Sequence, residues 1–122
     1  MIGYVTLGTN NLQRGVKFYD ELLAEIGAKR FMEDDRFVAW AVAPDQPSIA
    51  LTKPYDGQAA TIGNGVMVAI AVETSAQVDA LYTKAIELGA TDEGPAGPRE
   101  ENFYTGYFRD LDGNKLSFFC MT

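Results

Sequence analysis

Histidine is absent from all 122 residues of the chain. Without an imidazole the chain cannot build, by itself, a Ser-His-Asp triad, a Cys-His dyad, a histidine-ligated zinc or iron site, or a proximal haem ligand. Cysteine is almost as scarce. The single Cys120 cannot form an internal disulfide, and its apolar neighbours read as surroundings for a packed thiol rather than a nucleophile. Long apolar runs are missing too: none approaches the roughly 20 residues of a membrane-spanning helix. The start, Met1-Ile2-Gly3-Tyr4-Val5, lacks the basic residues and long apolar stretch of a signal peptide. A cytoplasmic protein without a membrane partner is expected. Positive charge is in deficit, since 10 Lys and Arg against 17 Asp and Glu give a net charge of −7. That balance argues against a phosphate-backbone partner, so no nucleic acid is expected.

What remains is an ordinary globular composition, 47% hydrophobic and 22% charged, of a length that suits one domain. Ile2 to Leu7 is β-rich and leads through Gly8 to Thr9-Asn10-Asn11, which offers caps to a helix carrying Leu12, Val16, Tyr19, Leu22, Leu23 and Ile26 and stopping at Gly27. Three short strands are expected next, at Arg30 to Met32, Phe37 to Val42 and Ser48 to Lys53. The pattern then restarts. Val66 to Val72 reads as a strand, Thr74 and Gln77 as a capping box, and Val78, Leu81, Ala85 and Leu88 as a helical stripe ending at Gly89. Glu25-Ile26-Gly27-Ala28 and Glu87-Leu88-Gly89-Ala90 lie 62 positions apart, about half the chain, which suggests a duplicated unit. Thr91 to Glu93, Phe103 to Arg109 and Lys115 to Phe119 complete the second half as strands, the last two joined by a hairpin at Asp112-Gly113. Two turn-rich segments are read as loops. One runs from Pro54 to Gly65, as a linker and lid, and the other from Gly94 to Arg99. The expectation is an α+β fold of two βαβββ modules, 1–54 and 65–122, joined by a loop at 55–64.

Period-two alternation assigns the strand faces. Val5 and Leu7, Ile49 and Leu51, Val66 to Val72 in steps of two, and Leu116, Phe118 and Cys120 suit the helix-covered face. The opposite face then carries Tyr4, Ala50, Thr52, Met67, Ala69, Ser117 and Phe119. Small, hydroxyl-bearing and large apolar side chains so mixed suit a curved sheet lining a cleft for a partly apolar ligand, or equally a filled barrel interior or a dimer interface.

Other candidate motifs carry less chemistry. Asp110-Leu111-Asp112-Gly113-Asn114 has its glycine too early for a calcium loop and no distal glutamate, so it reads as a hairpin turn. Gly63-Asn64-Gly65 precedes a strand rather than a helix, which removes the geometry of a nucleotide site. The acidic Glu33-Asp34-Asp35 and Glu100-Glu101 runs read as solvated turns. Lys53, Tyr55, Arg99, Tyr107 and Arg109 could line a cleft mouth, with arginine clamping a carboxylate and Trp40 supplying an apolar wall.

Tyr4-Val5-Thr6-Leu7-Gly8, the following Asn11-Leu12 and Phe18-Tyr19, the paired βαβββ pattern, and Tyr107 through Leu116 together resemble the vicinal oxygen chelate superfamily, which contains glyoxalase I, bleomycin-resistance proteins and extradiol dioxygenases. The resemblance spans nearly the whole chain. It implies two βαβββ modules curled around a cleft, commonly in a homodimer. Metal-dependent members hold a divalent cation with four cleft-facing side chains, and those positions fall here on Tyr4, Ala50, Met67 and Ser117. Leu111 stands where the family's turn has proline. None of these four residues is the family's ligand, and this departure from the pattern makes no metal and no cofactor the expectation. The resemblance to bleomycin-resistance proteins implies sequestering of a small, partly apolar or aromatic molecule, and the reading of strand faces and side-chain chemistry puts its contacts at Tyr4, Trp40, Thr52, Lys53, Met67, Arg99, Tyr107 and Ser117. A net charge of −7 is compatible with a cationic ligand. The alternative is a glyoxalase- or dioxygenase-type enzyme with non-standard metal ligands or a metal-free mechanism.

Overall fold

A computed structural model describes residues 1–122. The chain divides into two units, Met1–Ile62 and Gly63–Thr122. In the first, β1 (Tyr4–Gly8) leads into α1 (Leu12–Ala24), followed by β2 (Lys29–Glu33), β3 (Phe37–Ala41) and β4 (Ser48–Thr52). The second repeats the series with β5 (Val68–Ala71), α2 (Ser75–Glu87), β6 (Thr91–Pro98), β7 (Phe103–Arg109) and β8 (Lys115–Met121). Each unit has one four-stranded mixed sheet, ordered β1-β4-β3-β2 and β5-β8-β7-β6. The parallel pairs are β1 with β4 and β5 with β8, and the other pairings are antiparallel. The two halves thus share one topology, as the 62-residue repeat predicts. Neither helix is long and apolar enough to cross a membrane.

Local chemistry sets the helix ends. Asn11 caps α1 by accepting from the Arg14 amide at 3.1 Å, while Thr74 and Gln77 form a reciprocal capping box on α2. At the far ends Gly27 (φ +78°) and Gly89 (φ +106°) turn the chain into the left-handed region. The next amides, of Ala28 and Ala90, donate back to Leu23 and Ala85 at 3.0 Å each. This is the same bond closing both copies of the repeat. A methyl group at Gly27 meets no atom within 4 Å, so Gly27→Ala costs backbone strain alone. The melting curve is expected to show a loss of about 1–2 kcal/mol.

Register confirms the strand faces. In the first unit Leu7, Leu51 and Val38 form one row and Val5, Ile49 and Trp40 another, all turned toward α1. Gly15 lets α1 approach this sheet: a methyl group there would sit 2.5 Å from Leu51 Cδ2. Thr6, Ala50 and Ala39 form a row on the helix-free face. In the second unit Phe108, Leu116 and Phe118 are fully buried against α2 together with Val78, Leu81 and Ala85.

Most strand ends lie within two residues of the sequence reading, and the differences in β5 and β6 bear on the candidate residues. Val66 lies in a turn, its amide bonded to the Gly63 carbonyl, so β5 starts at Val68 and Met67 precedes it. Gly94 to Pro98, expected as a loop, belongs to β6, which pairs with β7 through register shifts at Asp92/Gly94 and Gly94/Gly97. As an edge strand β6 tolerates Pro95 and Pro98, and its bulges absorb the irregular sequence.

Candidate ligand-binding site

The first unit contains a cavity of about 930 Å3 whose floor is the helix-free face of its sheet, at Tyr4, Thr6, Phe37 and Thr52. Its opposite wall is the segment from Pro54 to Thr61. That segment is held in place by contacts far apart in sequence. The Asn10 side-chain amide donates to the Ala60 carbonyl at 3.1 Å and accepts from the Ala60 amide at 2.7 Å, in the manner of a strand pair. Gly8 leaves room for it, since a methyl group at Gly8 would stand 3.1 Å from Ala60 Cβ. Asn10→Ala is expected to leave the fold intact while speeding amide exchange at Ala60, because Ala60 loses both of its hydrogen bonds to the Asn10 side chain.

The rim carries two acids and two bases, and three of the four are already engaged. Asp34 accepts from the Arg36 amide at 2.8 Å, and Asp56 from the Gln58 amide at 2.9 Å. The Arg36 guanidinium donates to the Pro54 carbonyl at 2.9 Å and lies 5.4 Å from the centre of the Tyr55 ring. Lys53, at the end of β4, holds the Arg36 carbonyl through its backbone amide at 2.9 Å, and its ammonium makes no salt bridge. Thr52 directs its hydroxyl to the Lys53 and Arg36 carbonyls, at 3.0 and 3.3 Å. The cavity therefore offers an aromatic and hydroxyl floor with one uncommitted cation at its edge.

Tyr4, Thr52 and Lys53 are thus brought together. Trp40 is not. Alternation turns it to the helix-covered face, where it is 2% exposed, packs against Tyr19 at 5.6 Å and donates its indole N–H to Asp20 at 2.8 Å. The apolar wall expected of Trp40 is a core side chain instead. Asp20 also takes the Arg30 guanidinium, which holds its carboxyl below the usual carboxylate range.

Met67, Arg99, Tyr107 and Ser117 belong to the second unit. Tyr107 and Ser117 are direct cross-strand partners on the helix-free face of that sheet, with Ser117 1% exposed. The Arg99 guanidinium carbon lies 5.8 Å from the centre of the Tyr107 ring, and the Lys115 ammonium 5.5 Å from it. Met67 stands just before β5 and is exposed. On the outer side of the sheet, the Tyr82 hydroxyl is pushed up to about 12 by burial and by the hydrogen bond it gives to Asp92.

The four positions that the resemblance assigns to metal ligands supply a phenol, a methyl group, a thioether and a hydroxyl. Nowhere do three or more His, Cys, Asp or Glu side chains gather in a group able to hold a metal ion. A divalent cation prefers imidazole, thiolate or carboxylate donors, so these residues do not fit one.

Sequence reasoning singled out neither Arg36, Phe37, Asn10 nor Lys115. Alternation from Ala39 could have placed Phe37, and from Ser117 could have placed Lys115. Nothing local marks Asn10, whose partner is 50 residues away.

Residues 1–118 match the family described as the Glyoxalase/Bleomycin resistance protein/Dioxygenase superfamily. No curated protein matches the sequence significantly. Among solved structures, a glyoxalase/bleomycin resistance protein from Albidiferax ferrireducens T118 is similar at 33% identity and a TM-score of 0.91, over 100% of this chain and 99% of its own. A family enzyme from Burkholderia phytofirmans PsJN shares the fold at 18% identity and a TM-score of 0.79, over 98% of both chains. Lactoylglutathione lyase from Agrobacterium tumefaciens does so at 18% identity and a TM-score of 0.73, over 98% of this chain and 92% of its own.

Proposed function

This chain belongs to the Glyoxalase/Bleomycin resistance protein/Dioxygenase superfamily, and on that premise we propose that it binds a small, partly aromatic molecule without a metal and holds it without transforming it. The observation that carries the reading is the donor chemistry of Tyr4, Ala50, Met67 and Ser117, which replaces every ligand expected of a metal-dependent relative. The cavity of the first unit supports it further. Its volume of about 930 Å3 falls within the range of roughly 300–1,000 Å3 occupied by small-molecule sites, and its floor joins aromatic rings to a few hydroxyls.

A homodimer belongs to the same proposal. Strands β1 and β5 are at the edges of their sheets, and Ile2, Tyr4 and Val66 are more than half exposed, Tyr4 at 63%. Large apolar side chains on or beside unpaired strand edges favour cover by a second copy. Light scattering on the eluting protein is expected to give twice the chain mass; a monomer at every concentration would remove the dimer from the account.

Retention itself is tested by native mass spectrometry of protein mixed with aromatic amphiphiles, with and without a chelator. The expected result is a bound adduct that survives chelation and is recovered chemically unchanged. An adduct lost with the chelator, or a ligand recovered as product, would overturn the proposal.

A further inference from the structure

The helix-free face of the second unit has an internal order of its own. Cross-strand partners on it run from Arg109 with Lys115, through Tyr107 with Ser117, to Thr105 with Phe119. The sequence of chemistry is cationic, then hydroxyl-bearing, then apolar. At the apolar end the Phe119 ring meets Phe103 at 5.5 Å. At the cationic end Arg99 joins the group from β6 and the residues that follow it. Its guanidinium reaches the Pro95 carbonyl at 2.6 Å and the Pro98 carbonyl at 3.3 Å. Gly94 and Gly97 make its seat: methyl groups there would stand 3.3 Å from its two terminal nitrogens. The bulged path of β6 therefore holds Arg99 over the backbone and against Tyr107.

Three of the chain's ten cations meet here, and the charges do not cancel. Arg109 is paired with Glu93 at 2.7 Å. Glu93 also feels the Lys115 ammonium, which adds to the pull of Arg109 in holding its carboxyl low. Neither Lys115 nor Arg99 makes a salt bridge. Glu93 and its neighbour Asp92, which also acts on Glu93, stand against three cations and leave an excess of one positive charge near Tyr107, in a protein whose overall charge is −7. Such a local excess is unfavourable by itself and is relieved by an anion. Arginine on an aromatic face presents its remaining N–H groups in a fork that suits a carboxylate.

We infer that this face of the second unit is a binding site of its own for an amphiphilic organic anion, an aryl or alkyl acid whose acidic group lies beside Tyr107 between Arg99 and Lys115 and whose apolar body lies on Phe119 and Phe103. The inference goes beyond the retention reading, and its ligand charge is the reverse of the one expected from the net balance. The local arrangement outweighs the net charge because salt screens charges more than about 8–10 Å away, whereas Lys115 and Arg99 would be in contact.

Calorimetric titration with 4-phenylbutyrate, 4-phenylbutanol and 4-phenylbutylammonium tests the inference, using the whole protein and each of Lys115→Gln, Arg99→Gln and Phe119→Ala. The carboxylate is expected to bind most tightly and to weaken with salt. Lys115→Gln and Arg99→Gln should each weaken it about tenfold, from the loss of one charged hydrogen bond, and leave the alcohol unchanged. Phe119→Ala should weaken carboxylate and alcohol alike. If the ammonium or alcohol binds as tightly as the carboxylate, or both cation variants bind the carboxylate like the parent, the anion assignment is wrong while retention stands. If none of the three binds, the site itself is wrong, while retention in the first-unit cavity is decided by the native mass spectrometry. Melting curves of the variants identify any that lose the fold, and Lys115→Arg, which keeps the charge, is then expected to keep the carboxylate preference.

Discussion

Trp40→Ala is expected to lower the unfolding free energy by about 3–5 kcal/mol, the cost of emptying a large site in a packed core. Trp40 is nearly inaccessible, lies in the row with Val5 and Ile49 under α1, and packs against Tyr19. Its indole N–H is one of the donors to Asp20. Trp40→Phe keeps most of the apolar contact but removes that donor, and should cost about 1–2 kcal/mol. Urea titration followed by circular dichroism checks both. The phenylalanine variant also separates two roles: a core tryptophan leaves ligand retention unchanged when it is replaced, whereas a wall of the binding site does not. The same contact has a pH signature. Asp20 is held low first by the Arg30 hydrogen bond and also by that of Trp40. Its contribution is therefore fully present above the ordinary carboxylate value of 3.8 and fades as pH falls through the lower folded value. Trp40 fluorescence should change in that acid range, and Asp20→Asn should abolish the change. The Arg30 pair is more than a third exposed, so the ion pair itself adds little.

Asp110→Ala is expected to cost about 2–4 kcal/mol, because it unmakes several charged hydrogen bonds of a buried carboxylate at once. Asp110 is 5% exposed and closes the hairpin between β7 and β8. One oxygen accepts from the Asp112 and Asn114 amides at 2.9 Å each, and the other from the Asn114 side chain at 3.0 Å. Asp110→Asn keeps an acceptor for the two amides and should lose roughly half as much. The hairpin sets the register that puts Lys115 opposite Arg109. Carboxylate binding by Asp110→Ala should therefore fall more than alcohol binding, even at temperatures where the variant remains folded.

The features read correctly from sequence are those fixed within a few residues. The Thr74 and Gln77 capping box, the glycines that end both helices, and β7 from Phe103 to Arg109 all depend on local backbone chemistry and alternation. Faces followed as well: Tyr4, Thr6 and Thr52 share a side because side chains alternate along a strand. Trp40 could have been placed by the same rule, since Val38 and Trp40 share a side and Val38 lies in the row of Leu7 and Leu51. What lay beyond local reasoning depends on long-range contact. The Gly94 to Pro98 segment looks like a loop until β7 pairs with it through two bulges. The wall from Pro54 to Thr61 looks free until Asn10 binds Ala60. The cationic cluster at Tyr107 draws on Arg99, Arg109 and Lys115, which come together only after β6, β7 and β8 are aligned.

Metal independence is the claim on which the functional account rests, and direct titration tests it. Protein stripped with a chelator and dialysed is titrated calorimetrically with zinc, nickel, manganese and iron(II), and its retention of an aromatic amphiphile is measured before and after. The account predicts no saturable metal binding at micromolar concentration and unchanged retention throughout. Stoichiometric binding of any of these ions, accompanied by a gain in retention or by turnover of the ligand, would contradict it.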